Sequence, residues 1–219
     1  MVWQLDDELW FPDPHFGEDD GLIAIGGDLS IDRLLLAYGN GFFPWYAYQM
    51  DSVPRWYCPL DRYVIFPSEI HISHSMRQLL RQKRYQLTIS QDFDGVIRGC
   101  SMAQDRNRDD GAWLGPHIIE AYTELFRQGF AASVEVWDNS EGHRLVGGLY
   151  GVLMGPVFIG ESMFSLVPNA SKLALIHLAR VLEQCGGLLI DCQLPTNHLA
   201  SMGARFISYE EYMQIMNSV

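Results

Sequence analysis

The chain has 219 residues, 48% hydrophobic and 19% charged, with a formal net charge of −12. That length and apolar content suffice for one large domain, or one with a small companion, and exclude a disordered chain. The negative total argues against a broad nucleic-acid surface. The opening stretch, MVWQLDDELW, has neither the basic nor the apolar segment of a secretory signal. The long uncharged run Leu145–Gly160 is too short and too interrupted by glycine and proline to cross a bilayer. Cys58, Cys100, Cys185 and Cys192 form no CxxC pair and read as reduced thiols of a cytoplasmic protein.

Residues 1–60 are rich in proline, glycine and aromatics and show little alternation, so they read as a small α+β unit or an elaborated loop region. Within them SIDRLLLAYGNG predicts a helix capped by Ser30 and stopped near Gly39. GLIAIGGD lacks dinucleotide-loop spacing and reads as turn chemistry. From about residue 61 the pattern becomes regular. RYVIFP predicts a strand ended by Pro67, and SHSMRQLLRQ a helix capped by Ser73. YQLTIS alternates as a strand, and DFDGVIRGCSM is a short helix. GPHIIEAYTELFRQG is an amphipathic helix with Ile118, Ile119, Tyr122, Leu125 and Phe126 near one face. AASVEVWD, RLVGGLYGVLM and PVFIGESMF form a run of three strands. NASKLALIHLARVLEQCGG is a helix that Asn169 can cap, LLIDCQ a short buried strand, and Ser208 with Glu211 signals a last helix. Strands flanked by helices imply a mixed α/β sheet.

The charge is uneven. Residues 1–30 hold eight acids and no Lys or Arg, whereas residues 62–84 hold Arg62, Arg77, Arg81, Lys83 and Arg84 against Glu69 alone. Such a run is either a solvated helix face or a local site for a polyanion. His71, His74, His117, His177 and His198 have no metal-ligand spacing and read as helix-face residues. There is no GxxxxGK[ST] loop. Strand alternation would place Asp191 and Gln193 on one side of a strand end, with Cys192 opposite. A carboxylate and an amide aimed together at the mouth of a sheet can orient an amine or hydroxyl; the alternative is a loop-capping Asp. Glu161 follows the apolar PVFIG, so it must be paired, exposed or functional. Alternation also puts Met163 on the face of Glu161 and Phe164 opposite. Trp45 and Trp113 lie in Gly/Pro-rich segments, where aromatics either stack a base or fold onto the core.

GLIAIGGDLS, FFPWY, SVEVW, LVGGLYGV, FIGESMFS, NASKLAL and LIDCQ occur together in this order. The set resembles the bacterial leucyl/phenylalanyl-tRNA–protein transferases, over nearly the whole chain from Gly21 to Ile207. The resemblance implies an aminoacyltransferase that moves leucine or phenylalanine from Leu-tRNA or Phe-tRNA to proteins beginning with Arg or Lys. The new N-terminus is then an N-degron for the ClpS–ClpAP degradation route. It further implies an α/β (α+β) fold: a GCN5-related acyltransferase-like mixed sheet over residues 61–219, with a smaller N-terminal domain over residues 1–60. Asp191 and Gln193 would be the catalytic pair. Leu149, Phe158, Met163 and Ile190 would line the aminoacyl pocket. Trp45, Trp113 and Glu161 would hold the aminoacyl-adenosine end. A basic helix carrying Arg77, Arg81, Lys83 and Arg84 would touch acceptor-stem phosphates. No cofactor or metal is expected, and no membrane partner; the protein is expected to act as a monomer. Leu149 stands where many members carry Met, and Ala132 where many carry His, so no role for a His there is carried over. The rival is a GCN5-type N-acetyltransferase using acetyl-CoA, but VPNASK offers no Gly-rich loop for a pyrophosphate.

Overall fold

The computed structural model describes residues 2–45, 53–105, 115–140 and 142–218. Two sheets organise it. The smaller has four strands in the order β1-β2-β4-β3: β1 (Trp3–Leu5), β2 (Leu22–Gly26), β3 (Phe43–Trp45) and β4 (Arg55–Tyr57). Helix α1 (Ile31–Gly39) lies between β2 and β3 in the chain and is capped by Ser30, whose hydroxyl accepts from the Arg33 N–H. Most of the stretch read as turn chemistry around Gly26 is therefore a strand. The turn begins at its end, where Gly26 and Gly27 have φ of +93° and +70°, a region glycine enters without steric cost.

The larger sheet has seven strands in the order β11-β5-β10-β9-β8-β7-β6. They are β5 (Asp61–Ile65), β6 (Tyr85–Ile89), β7 (Ala131–Asp138), β8 (Arg144–Met154), β9 (Val157–Ser165), β10 (Leu189–Asp191) and β11 (Arg205–Ser208). Within this sheet, among the described residues, only β9 and β10 pair in parallel. Helix α5 (Ala170–Cys185) makes the crossover between them, as a parallel pair requires. Asn169 precedes α5 with φ +70° and no side-chain cap bond, so it turns the chain rather than capping the helix as the sequence suggested.

The sheet separates two cores. On one face α5 packs with α2 (His74–Arg81) and the short α6 (Asn197–Ala200) against Val134, Leu149, Phe158 and Ile190. On the other, α3 (Phe93–Asp105), α4 (Pro116–Arg127) and α7 (Tyr209–Met216) share one continuous core with the four-stranded unit, from Leu5, Ile23 and Leu34 to Ile118, Tyr150, Ile159 and Tyr212. The glycines of β8 permit close packing. A Cβ on Gly151 would lie 2.1 Å from the Ile159 carbonyl and 2.6 Å from the Phe158 ring, so no larger residue fits unless β9 moves.

Candidate active site

Strands β9 and β10 pair only at Val157–Ile159 and Leu189–Asp191. Beyond that β10 stops while β9 runs on to Ser165, paired with β8 alone. The sheet therefore opens, and α5 and α6 lie beside the opening. The result is a cavity of about 410 Å³. Its apolar wall is Leu149, Phe158, Met163 and Ile190, facing Leu175 and Leu178 of α5. Its polar wall includes Glu161, Asp191, Gln193, Thr196 and His198. All four residues expected in an aminoacyl pocket, and the three polar ones expected beside it, thus meet in one place. Trp45 lies elsewhere, on β3 with its ring 5.7 Å from that of Tyr57, and Trp113 falls outside the described residues.

The Asp191 carboxylate, at the edge of this cavity, is engaged by a buried cation. It sits on the face opposite Ile190, fully buried, and accepts from Arg62 Nε at 3.0 Å and Nη2 at 2.6 Å. Burial disfavours the Arg62 charge, but the Asp191 carboxylate outweighs that and holds the guanidinium above its ordinary range. The strand also ends at Asp191, two residues before Gln193, too soon for alternation to reach it. Gln193 adopts φ +61°, and its backbone N–H turns back to Asp191 Oδ1 at 2.8 Å. That turn brings the Gln193 side chain across the opening, where Nε2 donates to Glu161 Oε1 at 3.2 Å.

Glu161 is displaced by a second irregularity. The β8–β9 register shifts between Tyr150 and Gly151, so Tyr150 pairs with Ser162, Gly151 pairs with Gly160, and Glu161 is the extra residue of a bulge. A bulge breaks alternation. The Glu161 carboxylate faces the tyrosine side of the sheet, while Met163 packs with the α5 core, which reverses the shared face expected from the sequence. Tyr38 donates to Glu161 Oε1 and Tyr122 to Oε2, both at 2.8 Å. The two hydroxyls also touch each other. Burial pushes the Glu161 carboxyl up to about 7, against the lowering effect of the tyrosine and Gln193 hydrogen bonds. Glu161 therefore titrates near neutrality, and its ionised form is the one matched to the surrounding donors.

Sequence reasoning missed Arg62, Tyr38, Tyr122 and His198 as parts of this region. Arg62 carried a usable signal: it leads directly into the apolar run Tyr63–Ile65 of a strand, and a buried cation requires a partner. The tyrosines carried none, since a tyrosine on the inner face of a helix is ordinary core. His198 lines the cavity with a buried Nε2 that makes no hydrogen bond among the described residues.

The basic segment is only partly a helix. Helix α2 ends at Arg81, and Lys83 and Arg84 follow in a turn where Lys83 has φ +52°. Arg77, Arg81, Lys83 and Arg84 are all exposed. Arg84 pairs with Asp138 at 3.0 Å, and Arg77 Nε donates to the Ile72 carbonyl at 2.9 Å. Arg62 is not part of this surface, being buried on the other face of the sheet.

The sequence profile described as leucyl/phenylalanyl-tRNA protein transferase matches residues 64–217, and that of its N-terminal domain matches residues 27–60. The chain belongs to the leucyl/phenylalanyl-tRNA–protein transferase family. Among its relatives is the leucyl/phenylalanyl-tRNA–protein transferase of Pseudomonas fluorescens (strain Pf0-1), 48% identical over 97% of this chain and 92% of the relative. The family member from Syntrophobacter fumaroxidans is 48% identical over 98% of this chain and 89% of its own length. That from Azotobacter vinelandii is 48% identical over 94% and 89%. Among solved structures, L-PGS from Bacillus licheniformis aligns with a TM-score of 0.44 and 12% identity over 82% of this chain and 57% of that one, too distant to add to the family assignment.

Proposed function

We propose that this chain takes a leucyl or phenylalanyl group from its ester on tRNA and joins it to the N-terminal amine of a protein beginning with Arg or Lys, marking that protein for degradation in the cytoplasm. Membership of the family supports the reaction class. The single structural observation that carries the reading is the opening between β9 and β10, where an apolar cavity meets the Gln193–Glu161 contact. Residues 61–219 act in this reading as an acyltransferase-like catalytic domain and residues 1–60 as its small companion, working as a monomer.

The aminoacyl ester is already activated, so the remaining task is to hold a neutral amine against the ester carbonyl. Leu149, Phe158, Met163 and Ile190 take the apolar side chain. Flexible Met163 suits a pocket that admits both leucine and phenylalanine. With Nε2 donating to Glu161, the Gln193 amide oxygen is turned away from that carboxylate and free to accept an N–H of the attacking amine. The amine nitrogen bonds to the carbonyl carbon, the carbon–oxygen bond to the ribose breaks, and the proton released by nitrogen goes to the departing ribose oxygen. Asp191 contributes through the Gln193 turn rather than by removing a proton. Trp45 and Trp113 stack the terminal adenosine in this reading, and Arg77, Arg81, Lys83 and Arg84 meet the acceptor-stem phosphates.

The test is direct. Purified protein mixed with labelled Leu-tRNA and a peptide beginning with Arg should yield the peptide extended by one leucine. Intact charged tRNA with no extended product would overturn the proposal.

A further inference from the structure

We propose that Arg62 is a positioning residue for the transfer step, closing a ring of contacts that fixes Gln193 and Glu161 relative to each other. This rests on the aminoacyl-transfer reading above. The ring can be followed bond by bond. Arg62 donates two hydrogen bonds to Asp191 Oδ2, and Asp191 Oδ1 accepts the Gln193 N–H. The Gln193 amide donates to Glu161 Oε1, which also accepts from Tyr38. Tyr38 lies in the last turn of α1, and its carbonyl accepts the Gly41 N–H at 3.1 Å. The Gly41 carbonyl accepts from Arg62 Nη1 at 2.7 Å, which closes the ring.

Arg62 therefore ties the turn after β10 to the end of α1. One edge of its guanidinium holds the β10 turn, and the third donor holds the end of α1. The rings of Phe43 and Tyr212 lie against it, 5.2 Å and 4.7 Å from their centroids. The three donors of a lysine ammonium sit on a single nitrogen, so it cannot reach the Asp191 carboxylate and the Gly41 carbonyl in the positions that the wider guanidinium fork spans. The Gln193 turn needs an anchor, because a left-handed backbone is unfavourable for a residue with a Cβ. Arg62 itself does not line the cavity, so it acts through Asp191 and Gly41 rather than on the substrate.

The test is a double-mutant cycle on the full chain with Leu-tRNA and an Arg-initiated peptide. Arg62→Lys and Asp191→Asn should each lower kcat by about 10²-fold, the scale on which a small misplacement of reacting groups acts. KM for both substrates should stay within roughly threefold, because no binding contact is removed. The double variant should be no slower than the slower single, since both act through one turn. Wild-type kcat in Arg62→Lys, or losses that multiply in the double variant, would overturn the proposal. Should a lone buried charge prevent either single variant from folding, Arg62→Met/Asp191→Leu removes both charges; it should fold and still show the kcat loss, and full activity in it would also overturn the proposal. Exchange of the Gln193 backbone N–H tests the ring without turnover. It should be protected in the wild type and exchange markedly faster in Arg62→Lys at equal global stability, as local opening without global unfolding allows; equal protection would overturn the ring. Wild-type protein that transfers nothing would instead remove the function reading.

Discussion

Glu161 is where burial and chemistry meet most directly. Its carboxyl is raised from an ordinary 4.5 to about 7 by burial, so over that interval the unfolded chain gives up a proton that the folded chain keeps. Folding stability from this group is therefore complete below the unfolded value and is lost as pH rises through the folded one. The loss amounts to about 3 kcal/mol at 1.36 kcal/mol per unit. Glu161→Gln should remove it: the stability difference between about pH 4 and pH 8 should shrink by that amount relative to the wild type, as read by denaturant unfolding. Transfer by the wild type should rise through pH 7, because ionised Glu161 accepts from Tyr38, Tyr122 and Gln193 together. The same substitution should flatten that limb. An unchanged pH profile in Glu161→Gln would detach the titration from the reaction. The sequence exposed Glu161 as a charge that needed an explanation, because the residues before it are apolar. It could not expose Tyr38 and Tyr122, whose partner lies on another element.

At the scale of elements, most of the large sheet and its helices were readable because their periods are clean. The amphipathic α4 and the apolar runs of β7, β8 and β9 repeat at 3.6 or 2 residues over long stretches. Ser73 and Ser208 cap α2 and α7 as their positions implied. Reading failed where a period breaks. The bulge at Glu161 and the left-handed turn at Gln193 each reverse the face of a side chain, and both depend on a neighbouring strand rather than on local sequence. The short strands β1 to β4 were hidden for another reason: β1, β3 and β4 have three residues each, too few to show alternation, and β2, LIAIG, has no polar residue to alternate. The basic segment on and after α2 makes a prediction at this scale. Transfer should weaken with salt as phosphate contacts release counterions, and Arg81→Ala or Lys83→Ala should each reduce the log–log slope by about one. A slope equal to that of the wild type in both variants would take this segment out of the tRNA contact.

For the whole molecule, the shared core matters more than the two sheets. Leu5, Ile23 and Leu34 of the first 60 residues pack into the same cluster as Ile118, Tyr150 and Ile159. Neither part has an apolar interior of its own on that side, so the chain should unfold in one cooperative transition. Circular dichroism and tryptophan fluorescence should give coincident denaturant curves. Two separated transitions would mean that the parts fold independently. Composition alone suggested a small companion unit, and the density of Pro, Gly and aromatics there was the visible sign. That the unit is welded to the sheet, and supplies Tyr38 and Gly41 to the site, depends on contacts far apart in the chain.

The same division into faces has an electrical consequence. The first 30 residues carry eight acids and no Lys or Arg. They belong to the unit packed on one face of the seven-stranded sheet, while α2 and the turn after it, with Arg77, Arg81 and Lys83, lie toward the other. The molecule is thus polarised across its own thickness. In the field of a polyanion it experiences a torque as well as a net repulsion, and that torque turns the α2 side toward the polyanion before any contact is made.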